Sequence, residues 1–152
     1  MKKYRTLGPD ETMMVGEVLG RSLRAGDVVC LYGELGSGKT VFVKGVARAL
    51  GIAERDITSA SFTIIAEYRT SPPLAHIDLY RIEKAEELTG IGLRDYMGGD
   101  TVAVIEWAER AADELPETRI DVYLERISEN EREITIERSD EKDRHHIEER
   151  PS

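Results

Sequence analysis

The chain has 152 residues, 40% of them hydrophobic and 34% charged, which fits a single domain with a substantial core. Thirty acidic residues against 21 basic ones give a formal charge of −9, a balance that disfavours unaided binding to the phosphate backbone of DNA or RNA. The single cysteine, Cys30, excludes an internal disulfide and a cysteine-based zinc cluster, and with no apolar run near ~18 residues and no signal-peptide core in MKKYRTLGPDE, a cytoplasmic protein without a membrane partner is expected.

Residues 10–24 place Met13, Met14, Val18, Leu19 and Leu23 at helical spacing, with Asp10 as the expected N-cap. The apolar run 27–32, DVVCLY, reads as a buried strand in which Cys30 is a small core residue. VFVKGVARALG (41–51) has helical spacing and a glycine stop at Gly51. FTIIAEYR (62–69) and LAHIDLYRI (74–82), separated by Ser71-Pro72-Pro73, predict a β-hairpin. Residues 83–90 favour a short helix, and Gly98-Gly99 breaks the chain before TVAVI (101–105), a run typical of a strand buried on both faces. EWAERAADEL (106–115) has helical composition and stops at Pro116. RIDVYLERI (119–127) and REITIER (132–138) alternate as half-exposed strands around a turn at Glu129-Asn130-Glu131. The expected domain is 1–138. The tail 139–152, which contains His145 and His146, is almost wholly polar and is expected to be disordered.

Between the strand 27–32 and the helix that follows lies GELGSGKT, which matches G-x-x-x-x-G-K-[ST] with Gly33, Gly38, Lys39 and Thr40. The strand–loop–helix context is the one a phosphate-binding P-loop requires. Glycines let successive N–H groups of Gly33, Glu34, Leu35, Gly36, Ser37 and Gly38 turn inward on phosphate oxygens, and the helix that follows from Val41 adds the positive end of its dipole. Lys39 reaches the outer phosphates and the Thr40 hydroxyl can enter a magnesium shell.

Such a loop needs an acid to order magnesium, and Glu106, directly after the apolar run 101–105, is the best candidate. Asp78 is the second. Alternation puts it on the face opposite Ile77 and Leu79, and that pattern alone leaves open whether this face holds ligand or solvent. The only asparagine is Asn130 and there is no glutamine, so neither an N-K-x-D guanine element nor a Ras-type glutamine is present. The expected cofactors are ATP and Mg2+.

GELGSGKT, SASFTIIAEY, HIDLYR, GIGLRDYM and VIEW, in that order, resemble the TsaE (YjeE) family, the small ATPase of bacterial tRNA threonylcarbamoyladenosine (t6A) synthesis. The resemblance covers roughly residues 8–127. It implies an α/β fold: one compact P-loop NTPase domain with a mostly parallel central sheet, flanking helices and an added antiparallel hairpin. It also implies weak, Mg-dependent ATPase activity that acts on a TsaB–TsaD complex to permit repeated rounds of modification, with tRNA met only through that complex. On the family pattern Thr40 and Glu106 hold magnesium, Asp78 lies near the metal and the hydrolytic water, Trp107 lies close to the nucleotide, and Thr12 contacts adenine. Lys39, Asp78 and Glu106 then form the catalytic set. The family's S-P-T-[FY]-T segment is here Ser59-Ala60-Ser61-Phe62-Thr63, so Ser61 keeps the hydroxyl while the missing proline loosens the loop. Two other classes stay open: a small-molecule kinase, which needs an acceptor pocket and an arginine-bearing lid, and a nucleotide-gated binding module without useful turnover.

Overall fold

The computed structural model describes residues 1–57 and 65–139. Seven strands form one sheet: β1 (Lys2–Thr6), β2 (Val28–Tyr32), β3 (Ile65–Tyr68), β4 (Leu74–Asp78), β5 (Val102–Glu106), β6 (Ile120–Arg126) and β7 (Arg132–Arg138). Their spatial order is β1-β7-β6-β2-β5-β4-β3. The four inner strands β6, β2, β5 and β4 run parallel. Antiparallel pairs close both margins, with β3 against β4 on one side and β7 against β6 and β1 on the other. The expected hairpin of residues 62–82 is therefore present as β3–β4, and the alternating strands near the C-terminus form a second one.

Helices α1 (Pro9–Ser22) and α2 (Lys39–Ala49) cover one face of the sheet. Leu19, Leu23, Phe42, Val43 and Val46 meet Val29, Leu31, Val104, Val122 and Ile134 there, all buried. The other face packs Val28, Cys30, Ala75, Ile77 and Ile105 against Leu88 of α3 (Ala85–Gly90), Leu93, Ala108 and Ala111. Every residue of β2, β4 and β5 is buried except Tyr32, the consequence of covering parallel strands on both faces. Burial pushes the Cys30 thiol up to about 12, with the Asp121 charge adding to it, so this cysteine is an inert core residue as expected.

Four local expectations change. Residues 2–6 form an edge strand that the sequence pattern did not announce. It joins β7 in a ladder from Lys2↔Ile136 to Thr6↔Arg132. The N-cap of α1 is Gly8, with Asp10 inside the first turn and the Leu7 N–H donating to Glu11 Oε1 at 3.0 Å. The segment 106–115 is split: Glu106 ends β5, and Ala108–Glu114 forms 3-10 turns broken at Ala111, whose φ of −124° is not helical. β4 ends at Asp78 rather than residue 82, because the Tyr80 N–H turns back to Asp78 Oδ1 at 2.9 Å. Ser139 is still anchored, its N–H donating to the Arg119 carbonyl at 3.0 Å. The expected tail beyond it, including His145 and His146, lies outside the described residues, as does Ser61.

Candidate functional site

β2, β4 and β5 end at the same edge of the sheet, so their following residues converge, as ligand sites do at the carboxyl ends of parallel strands. The loop after β2 is held open by backbone shapes that glycine alone takes freely. Gly38 has φ +101° just before α2. A Cβ at Gly33 would lie 2.5 Å from Ser37 Oγ and 2.6 Å from the Leu124 carbonyl oxygen. The Lys39 ammonium folds back on this loop, donating to the carbonyls of Gly33 and, at 2.9 Å, Glu34. Burial pushes the Lys39 pKa down, while the charges of Glu106, Glu109, Asp78 and Glu34 work against that shift.

Alternation along β4 and β5 decides which side the polar residues take. Leu74 and Val104 pack with α2, whereas Ala75, Ile77 and Ile105 pack on the far face. His76, Asp78 and Glu106 accordingly point toward α2, and the register sets Asp78 beside Glu106. The Thr40 hydroxyl donates to Glu106 Oε1 at 3.2 Å. His76 Nε2 lies 2.6 Å from Glu106 Oε2. Glu106 is 2% exposed and Asp78 8%; burial, and then the neighbouring Glu106 charge, push the Asp78 carboxyl above its ordinary range against the Tyr80 N–H bond. A hydroxyl and two carboxylates are hard oxygen donors of the kind magnesium takes. Among the described residues no three His, Cys, Asp or Glu gather as a metal cage.

Trp107 leaves β5 with φ +58°, a sparsely populated backbone shape for a bulky residue. That turn lays its ring 4.2 Å from Lys39 Nζ and 5.0 Å from the ring of Tyr80. Arg110 stands over both rings and donates to the Ile82 carbonyl at 2.7 Å. Together the loop, the acids, Trp107, Arg81 and Arg132 line a cleft of about 490 Å³. A smaller recess of about 80 Å³ continues from it past Gly38 and Val41, walled by Gly8, Pro9 and Thr12 on one side and Glu129, Asn130 and Arg132 on the other. Thr12 is fixed there by a 2.8 Å hydroxyl contact with Thr6 at the end of β1. Another cleft, about 430 Å³ and lined by Lys2, Val18, Ser22 and Arg24, lies beside the far end of α1 and contains none of these residues.

The family model described as threonylcarbamoyl adenosine biosynthesis protein TsaE matches residues 7–134. The chain is 42% identical over 135 residues to the tRNA threonylcarbamoyladenosine biosynthesis protein TsaE of Bacillus subtilis, covering 88% of this chain and 84% of that one. It is 45% identical over 126 residues to the protein of the same name from Treponema pallidum, covering 83% and 93%. The chain belongs to the TsaE family. The crystal structure of Bacillus subtilis YdiB superposes with a TM-score of 0.77 at 37% identity, over 97% of this chain and 92% of that one.

Of the residues expected from the TsaE resemblance, the described part of the structure gathers Lys39, Thr40, Asp78, Glu106 and Trp107 with Leu35, Gly36, Gly38 and Val41 around one cleft, and Thr12 around its recess. Gly33 and Glu34 meet the site through their carbonyls, and buried Ser37 Oγ lies 3.4 Å from Lys39 Nζ. Three residues were missed. His76 carried one signal: a polar residue two positions from Asp78 in an otherwise apolar strand. Arg132, whose Nη1 donates to the Ser128, Glu129 and Glu131 carbonyls, reads in sequence as an ordinary strand-end charge. Tyr80 had no signal beyond its place in the HIDLYR motif, two residues after Asp78.

Proposed function

We propose that the protein binds ATP with Mg2+ and hydrolyses it to drive repeated rounds of t6A formation on tRNA by a TsaB–TsaD pair in the cytoplasm. One observation carries the hydrolytic part: the Thr40 hydroxyl, at the mouth of the P-loop, lies 3.2 Å from a buried carboxylate, Glu106, whose strand register places Asp78 next to it. The t6A part rests on family membership and on what the relatives' names state.

In this reading the loop N–H groups and Lys39 hold the phosphates, the latter by exchanging its bonds to the Gly33 and Glu34 carbonyls for phosphate oxygens. Thr40 and Glu106 hold the metal, and Asp78 shares in its surroundings. Magnesium, when bound, neutralises charge on the β- and γ-phosphates. Asp78 aligns the attacking water. Water adds to the γ-phosphorus as the P–O bond to ADP breaks, one of its protons staying on the inorganic phosphate that leaves and the other passing to solvent. The recess beside Thr12 takes the base, with Trp107 near the phosphates. Ser61 belongs to the same reading as a hydroxyl near metal or water. With no glutamine in the chain to orient the attacking water, turnover alone is slow, and the partner supplies the missing charge or order.

The test is ATP hydrolysis by the purified protein, alone and with a TsaB–TsaD pair, with t6A in tRNA followed in parallel. Stimulated hydrolysis with several t6A per complex is expected. ATP binding that the pair leaves unaltered would remove the pathway from this reading while leaving the P-loop in place.

A further inference from the structure

We propose that His76 is a positioning residue that holds the metal-bearing acid in its working orientation. The inference rests on the reading of Thr40 and Glu106 as the magnesium ligands given above. His76 is 1% exposed in the middle of β4, between Ala75 and Ile77, which are fully buried in the far-side core. An imidazole in such a place costs desolvation that a leucine or valine avoids, unless its ring nitrogens are used. Its Nε2 is used on Glu106 Oε2, at 2.6 Å.

The division of labour on Glu106 gives this bond its role. His76 holds Oε2 at 2.6 Å, while the Thr40 hydroxyl lies nearer to Oε1, at 3.2 Å, than to Oε2, at 3.5 Å. Thr40 is itself a proposed ligand, so it cannot also serve as the fixed anchor for Glu106 when a cation arrives. His76 can, because it comes from the neighbouring strand, opposite Val104 in the ladder, and is locked by the packing of β4 against β5. In the tautomer with its hydrogen on Nε2, the imidazole donates to the Glu106 carboxylate. Outer-sphere donors of this kind orient a ligating group, and losing them typically lowers metal affinity about 10–100-fold. The H-x-D tripeptide thus divides into two tasks on one strand face: Asp78 reaches the cleft, and His76, one pleat further back, reaches the acid on the next strand.

The experiment is calorimetric titration of ATP into the protein over a series of Mg2+ concentrations and in EDTA, with His76→Leu, His76→Asn and His76→Gln compared with the wild type and with Glu106→Gln. Leu fills the volume without a donor, Asn is too short to reach, and Gln sets an N–H near the Nε2 position. The Leu and Asn variants are expected to need at least about tenfold more Mg2+ for the half-maximal gain in ATP affinity, with ATP affinity in EDTA unchanged and kcat largely restored at saturating Mg2+. The Gln variant is expected to stay within about threefold of the wild type. If Leu does not fold, the Asn and Gln pair carries the comparison. A folded Leu or Asn variant with wild-type Mg2+ dependence would overturn the positioning role. Wild-type Mg2+ dependence in Glu106→Gln would instead show that the metal site lies elsewhere, which removes the underlying reading and this one with it.

Discussion

Lys39 and Asp78 are the two charges whose surroundings most constrain the site. Lys39 gives up its carbonyl partners when phosphate arrives, and charge-assisted bonds of this type are worth about 1.5–3 kcal/mol. Lys39→Ala is therefore expected to weaken ATP binding by roughly 10–100-fold, read by calorimetry, with little change in the melting temperature, since the ammonium is held by loop carbonyls rather than by the core. Asp78 carries a pH signature. Burial and the nearby Glu106 charge raise its pKa in the folded chain, so the folded state holds that proton more tightly than the unfolded state does. The associated stability is full below the ordinary aspartate range and is lost as pH rises through the raised folded value. Asp78→Asn keeps an oxygen to accept the Tyr80 N–H, a bond of 2.9 Å in the native chain, and removes the ionisation. In metal-free, nucleotide-free buffer the variant should melt with the wild type at the acid end. Toward pH 8 it should melt a few degrees higher. Equal melting at both ends would mean that Asp78 ionises without strain in the fold.

The pairing of α1 with α2 positions the recess, because Thr12 stands on one helix and Val41 on the other. The helices approach through glycines. A Cβ at Gly45 would meet the Met13 carbonyl oxygen at 2.0 Å, and one at Gly16 the Phe42 carbonyl oxygen at 2.2 Å. Gly45→Ala must separate the helices, and overpacking of this sort costs about 1–3 kcal/mol. The expected result is a melting temperature lower by roughly 4–8 °C, measured by circular dichroism, together with weaker ATP binding as Thr12 and Val41 part. Gly90→Ala, where nothing lies within 4 Å, should be close to neutral and serves as the control. Elements governed by neighbours in sequence were legible in advance: the P-loop, α2, and β5 as a run buried on both faces. β1 was not, because its sequence KKYRT is largely charged and its partner β7 lies at the other end of the chain. The 3-10 turns after Trp107 were read as an α-helix from composition, but the positive φ at Trp107 and the non-helical Ala111 break the register that composition suggested. His76 escaped for a related reason: its meaning depends on an acid thirty residues away on the adjacent strand.

Within the described residues, β1 near the start of the chain and the β6–β7 turn far along it meet around one recess. Thr6 closes β1 onto Thr12, and the turn between β6 and β7 supplies Glu129, Asn130 and Arg132 to the opposite wall of the recess. If the recess takes the base as proposed, ATP occupancy depends on segments that lie more than a hundred residues apart in the chain. The charge of the whole chain points another way. With 30 acidic residues against 21 basic and a net charge of −9, the surface opposes the phosphate neutralisation that drives non-specific nucleic-acid binding, for which proteins suited to it reach about 10⁻⁴–10⁻⁶ M at physiological salt. If tRNA is met only through a partner complex, labelled tRNA titrated with this protein alone should show no saturation below about 10⁻⁴ M at 150 mM salt, and lowering the salt should change little. Fluorescence anisotropy at three salt concentrations measures both. Micromolar binding with a steep loss on adding salt would reveal a basic tract strong enough to act against the net charge, and tRNA would then have to be placed on this chain rather than on its partners.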